Sequence, residues 1–165
     1  MTMKRLLTFA LLLMVVMTAG AQGRWTVTHR EADPMKNQTA KDVYIYDTGG
    51  NGQVVVWDWD KADFRLITEH GFFRILVSNG MKVVPIRAGI YDENGNLEKM
   101  YDIQLMPEDN TNGRWIATAG FYYFGRGNIR KVMKRLKSGK GYVRFLGELY
   151  NNQYFDINVT PYQEK

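Results

Sequence analysis

The sequence predicts a mainly β protein: an antiparallel sandwich or barrel of about nine or ten strands with one short amphipathic helix. Three observations predict it. Apolar and polar residues alternate in twos through most of the chain, as they do in half-buried strands. Clusters rich in Gly and Asn interrupt that alternation at short intervals, where a chain reverses. A single stretch switches to helical spacing.

The elements follow in order. In "RWTVTH", Trp25 and Val27 share one face. "DVYIYD" sets Val43 and Ile45 opposite Tyr44 and Tyr46. "GGNG", Gly49 to Gly52, accepts positive φ and turns the chain. "QVVVWDWD" can return as its hairpin partner. Alternation there puts Val55, Trp57 and Trp59 on one face, and Val54, Val56, Asp58 and Asp60 on the other. "FRLITE" and "FFRILVS" read as strands on either side of His70-Gly71, and Ser78 to Gly80 is a further turn. "MKVVPIRAGIYD", "DENGN" and "LEKMYDIQL" form a hairpin with Asn94-Gly95 at its tip. Pro85 has no N–H to give a ladder, so its strand is expected at an edge or a bulge. Pro107 to Gly113 is a loop, and "RWIATAG" resumes an extended segment. "GYVRFLGEL" and "YFDINVT" close the chain as a hairpin through Tyr150-Asn151-Asn152. The segment from His29 to Lys41 is polar, lacks either period and is expected to be the least ordered.

The helix lies in "IRKVMKRLKSGKGYVRF". Ile129, Val132, Met133 and Leu136 fall at i, i+3, i+4 and i+7, one face of a helix. Arg130, Lys131, Lys134, Arg135 and Lys137 occupy the rest. Asn128 is a candidate N-cap and Ser138-Gly139 a candidate stop. The simplest role for these cations is to keep a covering helix soluble. A basic amphipathic helix also suits an anionic surface or partner.

The chain opens "MTMKRLLTFALLLMVVMTAGAQG". Lys4 and Arg5 precede an apolar run, and Ala19-Gly20-Ala21 offers a small-residue cleavage site. Residues 1–21 therefore read as a secretory signal peptide, leaving 22–165 as a single domain exported to the periplasm or beyond. The apolar run falls short of the ~20 residues a membrane span needs, so no transmembrane segment is expected after cleavage. The chain has no Cys, which excludes disulfides, thiol catalysis and thiolate metal sites. Without Lys4 and Arg5, 20 basic face 17 acidic residues, a formal +3. Arg126 to Arg144 holds eight of those cations and no acid, so the rest of the domain is net negative. One basic element on an otherwise acidic exported domain argues against nucleic acid as a partner.

The order of these segments resembles the invasion-associated locus B family and related periplasmic β-sandwich proteins, some tied to type VI secretion. An N-terminal "W-x-V" strand, "FRILV", a strand ending "IYD", a later Trp strand and then helix–Gly–strand–"FDINV" carry the likeness. In that family a helix of the form I-x-x-L-x-x-G precedes the last hairpin. Val132/Met133, Leu136 and Gly139 stand there, with Tyr142 to Leu149 and Tyr154 to Val159 as the hairpin. The resemblance implies a periplasmic β-sandwich and no defined chemistry.

The residues point to binding rather than catalysis. "GFYYFGRGN" places Phe121, Tyr122, Tyr123 and Phe124 in succession, and they cannot all face one side of a strand. With Arg126, Arg130, Lys131, Lys134 and Arg135 they make the leading candidate surface, of the aromatic and arginine-rich kind that meets partners. A protein or an anionic envelope component is the expected partner. Trp57 and Trp59 are the second candidate, a platform for sugar rings and the basis of an alternative reading as a carbohydrate-binding module. The plainer account makes both sets core or edge residues.

No catalytic residue is assigned. No G-x-S-x-G or H-E-x-x-H occurs, and Ser78 and Ser138, the serines of the domain, sit in turn signals. A carboxylate pair such as Asp58 with Glu148 or Asp156 would be needed for a glycan-acting enzyme, the least favoured reading. Asp58, Asp60 and Asp63, or Asp92, Asn94, Asn96 and Glu98, are oxygen-rich but lack the spacing of a calcium loop, and turns explain them. No metal or other cofactor is expected.

Overall fold

The structure, a computed structural model, describes residues 23–50, 52–69, 71–78, 80–108, 113–119, 126–148 and 154–164. The signal-peptide reading of residues 1–21 lies outside them. Among the described residues nine strands form one antiparallel sheet: β1 (Arg24–Arg30), β2 (Lys41–Asp47), β3 (Gln53–Asp58), β4 (Asp63–Thr68), β5 (Val84–Tyr91), β6 (Leu97–Pro107), β7 (Trp115–Ala119), β8 (Tyr142–Glu148) and β9 (Tyr154–Val159). Their order is β1-β2-β3-β4-β7-β6-β5-β8-β9. Helices α1 (Phe72–Ser78) and α2 (Arg126–Ser138) join them.

The sheet curls into a half-barrel with the core on its concave side. Inward residues of β2, β3 and β4 (Tyr46, Val54, Val56, Phe64, Leu66) share one cluster with Ile86, Leu105, Phe145 and Ile157 from the far half. The rings of Phe64 on β4 and Phe145 on β8 lie 6.0 Å apart, although β7, β6 and β5 separate their strands. Only a curled sheet brings them together. Each such side chain contributes about 1.5–3 kcal/mol by leaving water.

Strand order explains the helices. β4 is followed in sequence by β5 but paired with β7, and β7 is followed by β8 but paired with β6. Each crossover must pass over intervening strands, and each carries a helix that packs into the core. Phe72, Phe73 and Leu76 come from α1; Ile129, Val132, Met133 and Leu136 come from α2.

Several expectations need correction. "FFRILVS" is α1, not a strand. The Ile75 N–H donates to Gly71 O at 3.1 Å, the four-residue spacing of a helix, and Phe72, Phe73 and Leu76 all enter the core from it. The "FRILV" counted as a strand in the family likeness is therefore helical. The segment from His29 to Lys41 is ordered as well. Asp33 bridges Gln38, and its side chain accepts from the N–H of Met35 to cap a 3-10 turn at Pro34–Lys36. Pro85 pairs with Gln104 on β6, while β8 pairs with β5 only from Arg87 onward, so at Pro85 the strand has one paired neighbour, as at a sheet edge.

Turn chemistry follows the sequence. Asp92 Oδ1 accepts from the N–H groups of Asn94 and Asn96, at 2.9 and 2.8 Å, and shapes the β5–β6 hairpin. These hydrogen bonds, that of the Asn96 side chain foremost, hold the Asp92 carboxyl below its ordinary pKa. Asp58 Oδ1 does the same work between β3 and β4, accepting from Asp60 and Lys61. Both oxygen-rich segments are thus turns.

The open side of the half-barrel is tied by the segment after β9. Trp25 Nε1 on β1 donates to Thr160 O at 2.6 Å, and the Tyr162 N–H donates to Leu136 O at 2.7 Å. The Tyr162 ring meets Tyr44 at 5.0 Å and Trp25 at 6.0 Å. On β1, His29 Nδ1 lies 2.8 Å from Asp42 Oδ1 of the facing strand. That hydrogen bond raises the pKa of the exposed imidazole above 6.5. The pairing therefore stabilises fully below 6.5 and is lost as pH rises through the raised value. An NMR titration should place the His29 midpoint above 6.5, and Asp42→Asn should lower it; a midpoint that ignores Asp42→Asn would refute the pairing.

Candidate binding surface

α2 divides its residues as the spacing predicts. Ile129, Val132, Met133 and Leu136 are almost fully buried, at 3%, 0%, 1% and 0% exposure. Its N-terminus differs from expectation. The helix begins at Arg126, and Asn128 does not cap it but donates from Nδ2 to Asp102 O on β6 at 3.1 Å. Gly139 closes the far end by donating its N–H to Arg135 O at 2.7 Å.

The cations fall into two groups. Arg135 is a clip: its guanidinium donates to Lys140 O and Tyr91 O and pairs with Glu98 at 3.0 Å. Its expected place among freely solvated cations is therefore corrected, because two carbonyls and a carboxylate hold it. Lys137 reaches Asp60 at 3.3 Å and Lys140 reaches Glu93 at 3.9 Å. Arg144 binds Asp156 through both carboxylate oxygens, at 2.8 and 2.6 Å, which raises its pKa further. Arg130, Lys131 and Lys134 differ: among the described residues none of the three has an acid within ion-pair distance.

Two of these free cations, Lys131 and Lys134, border a groove of about 370 Å³ between α2 and the β5–β6 hairpin. Ile90, Lys99, Tyr101, Lys131 and Lys134 line it. Lys131 Nζ lies 5.7 Å from the Tyr101 ring centroid, within cation–π range. Like charges spaced three and four apart on a helix repel, and α2 has no acid in its first turn to answer its dipole. The groove thus sets unpaired lysines of a helix beside an aromatic ring on β6, with the Glu98–Arg135 ion pair also on its lining.

The other sequence candidates are placed as follows. Phe121, Tyr122, Tyr123, Phe124 and the side chain of Arg126 lie outside the described residues. Trp57 and Trp59 do not share a face. The β3–β4 register shifts between Val56 and Asp58, and Trp59 falls in the turn beyond β3. Trp59 swings inward against Trp25 and Tyr44, at 5.7 and 5.4 Å. Trp57 stays on the convex face with Arg65. Alternation cannot see a bulge, and the two-ring sugar platform is not formed. Glu148 and Asp156 are each occupied by an arginine, Arg87 and Arg144.

A cleft of about 1070 Å³ lies where the segment after β9 meets β1 and the β5–β6 turn. Its walls mix Arg24 and Lys140 with Asp92, Glu93 and Glu164, so it offers no field of one sign. Among the described residues no cluster of three or more His, Asp or Glu could hold a metal, and no helix is long and apolar enough to cross a membrane. Comparisons with protein-family models, curated proteins and solved structures found no match to the chain.

Proposed function

We propose that this is an exported, non-enzymatic protein that binds an anionic macromolecule of the cell envelope through the basic face of α2. One observation carries the reading: Lys131 and Lys134 stand unpaired beside Lys99 and Tyr101 in a groove, with the unpaired Arg130 on the same helix, while neighbouring cations are neutralised. A helix that merely covered a sheet would gain stability from alternating charge signs. This one concentrates like charge on the side that its packing leaves free. The signal-like N-terminus and the invasion-associated locus B resemblance support placement in the envelope. The Tyr101 ring adds a flat apolar contact that a polyanion bearing sugar or acyl groups can use.

Co-sedimentation with vesicles tests it. The chain should bind vesicles containing phosphatidylglycerol and ignore those of phosphatidylcholine alone. Binding should weaken as salt shortens the screening length from about 10 Å at 0.1 M. A variant with Gln at 130, 131 and 134 should remain folded and lose most of that binding. Equal binding by the variant, or binding indifferent to salt, would refute the assignment.

A further inference from the structure

The convex face of the sheet carries a second cluster of cations, separate from the groove at α2. Trp57 on β3 is half-buried there. The Arg30 guanidinium carbon stands 4.2 Å from its ring centroid, Lys41 Nζ 4.8 Å and the Arg65 guanidinium carbon 5.1 Å. These residues come from β1, β2 and β4, so the curled sheet itself assembles them. Arg30 and Lys41 are direct cross-strand partners. Like charges in that position repel. Among the described residues neither has an acidic partner within ion-pair distance, and Arg65 has only Glu108 at 3.9 Å. Trp57 Nε1 is a buried donor with no acceptor, and so is Arg65 Nε.

A pocket of about 220 Å³ opens beside this cluster. Arg30, Lys41 and Trp57 form one side. Asn37, Gln38 and Thr39, held by the Asp33–Gln38 bridge, form the other with neutral hydrogen-bonding side chains. Glu31, the acid on the lining, leans to His29 at 3.7 Å. Cation–π attraction accounts for one guanidinium on an indole. It does not account for a like-charge pair placed directly across two strands, both members on the lining of one pocket. A bound oxyanion does, because it supplies the missing counter-charge and several acceptor lone pairs at once.

We propose that this pocket is a binding site for a single phosphate or sulfate group, borne on a sugar or a lipid head group, with Arg30 and Lys41 as its charged donors. The site follows the indole Nε1–H signals in two-dimensional NMR, with Trp57 assigned through Trp57→Phe. Inorganic phosphate, at constant ionic strength, should shift the Trp57 signal saturably. Arg30→Gln and Lys41→Gln should each weaken that response about tenfold or more, as loss of one charge-assisted contact does, while Arg30→Lys retains part of it. Lys131→Gln with Lys134→Gln should leave it unchanged, which separates this site from the groove at α2. Both single Gln variants should melt at the wild-type temperature or above it, since repulsion is removed. Half-saturation of the Trp57 shift at lower glucose 6-phosphate than inorganic phosphate would assign the group to a sugar; half-saturation at lower short-chain, soluble phosphatidylglycerol, read at the Trp57 signal with Lys131→Gln and Lys134→Gln in place, would assign it to a lipid. The proposal fails if no phosphate probe gives a saturable shift. It fails equally if glucose shifts the signal as much, or if the folded Gln variants respond like the wild type.

Discussion

Leu136→Ala should destabilise the domain by about 2–5 kcal/mol, the cost of truncating a packed leucine and leaving part of its volume empty. Leu136 is 0% exposed and sits where three parts of the molecule meet. Its side chain belongs to the concave core, and its carbonyl accepts from the N–H of Tyr162. That hydrogen bond ties the segment after β9 to α2, so the cavity should loosen the open side of the half-barrel as well. The contrast lies one turn earlier on the opposite side of the helix. Changing Lys131 and Lys134 to Gln should move stability by no more than about 0–1 kcal/mol, as exposed charges do. Denaturant melts of the two variants decide the matter. A Gln pair that unfolds beside a stable Leu136→Ala variant would mean that α2 faces the other way.

The second large effect is expected at Gly141, the residue before β8. Its φ is +73°, and a Cβ there would overlap the carbonyl oxygen of Tyr91 and crowd the backbone of Asp92. Gly141→Ala should therefore incur both the left-handed penalty, about 1–2 kcal/mol, and a backbone collision that neither strand can relax easily. Gly95 supplies the internal control. Its φ is +83°, but nothing lies within 4 Å of the Cβ it would carry. Gly95→Ala should then show the left-handed penalty alone. Equal losses in the two variants would show that β8 does not approach the β5–β6 turn as described.

Much of this fold was legible because half-buried strands write their burial into alternate residues. Val54 and Val56, Phe64 and Leu66, and Val143 and Phe145 are all buried on the concave side. The turns at Gly49 and Gly95 were legible because both adopt the positive φ that glycine tolerates. α2 was legible from four apolar positions at helical spacing. α1 was not, since a short, largely apolar segment such as "FFRILVS" suits either a buried strand or a helix. Strand order was not legible either, because the β4–β7 pairing joins residues far apart in sequence.

The site was legible in part. The concentration of cations on α2 is plain in the sequence. Which of them are free is a tertiary fact: Glu98 and the Tyr91 carbonyl claim Arg135, and Asp60 claims Lys137. Lys99 and Tyr101 gave no signal of their own, since they lie in an ordinary strand and gain meaning only when α2 crosses beside them. Trp57 and Trp59 misled because one register shift sends two residues of the same parity to opposite faces.

The most direct test of the central claim, that the free face of α2 is a binding surface, is a backbone amide NMR map of the folded chain with phosphatidylglycerol presented in small bicelles. The account predicts that salt-sensitive perturbations concentrate at Arg130, Lys131 and Lys134 and at Lys99 and Tyr101 across the groove, with Ile129 and Leu136 retaining their packing. Perturbations confined to other faces of the half-barrel, with α2 unchanged, would contradict it.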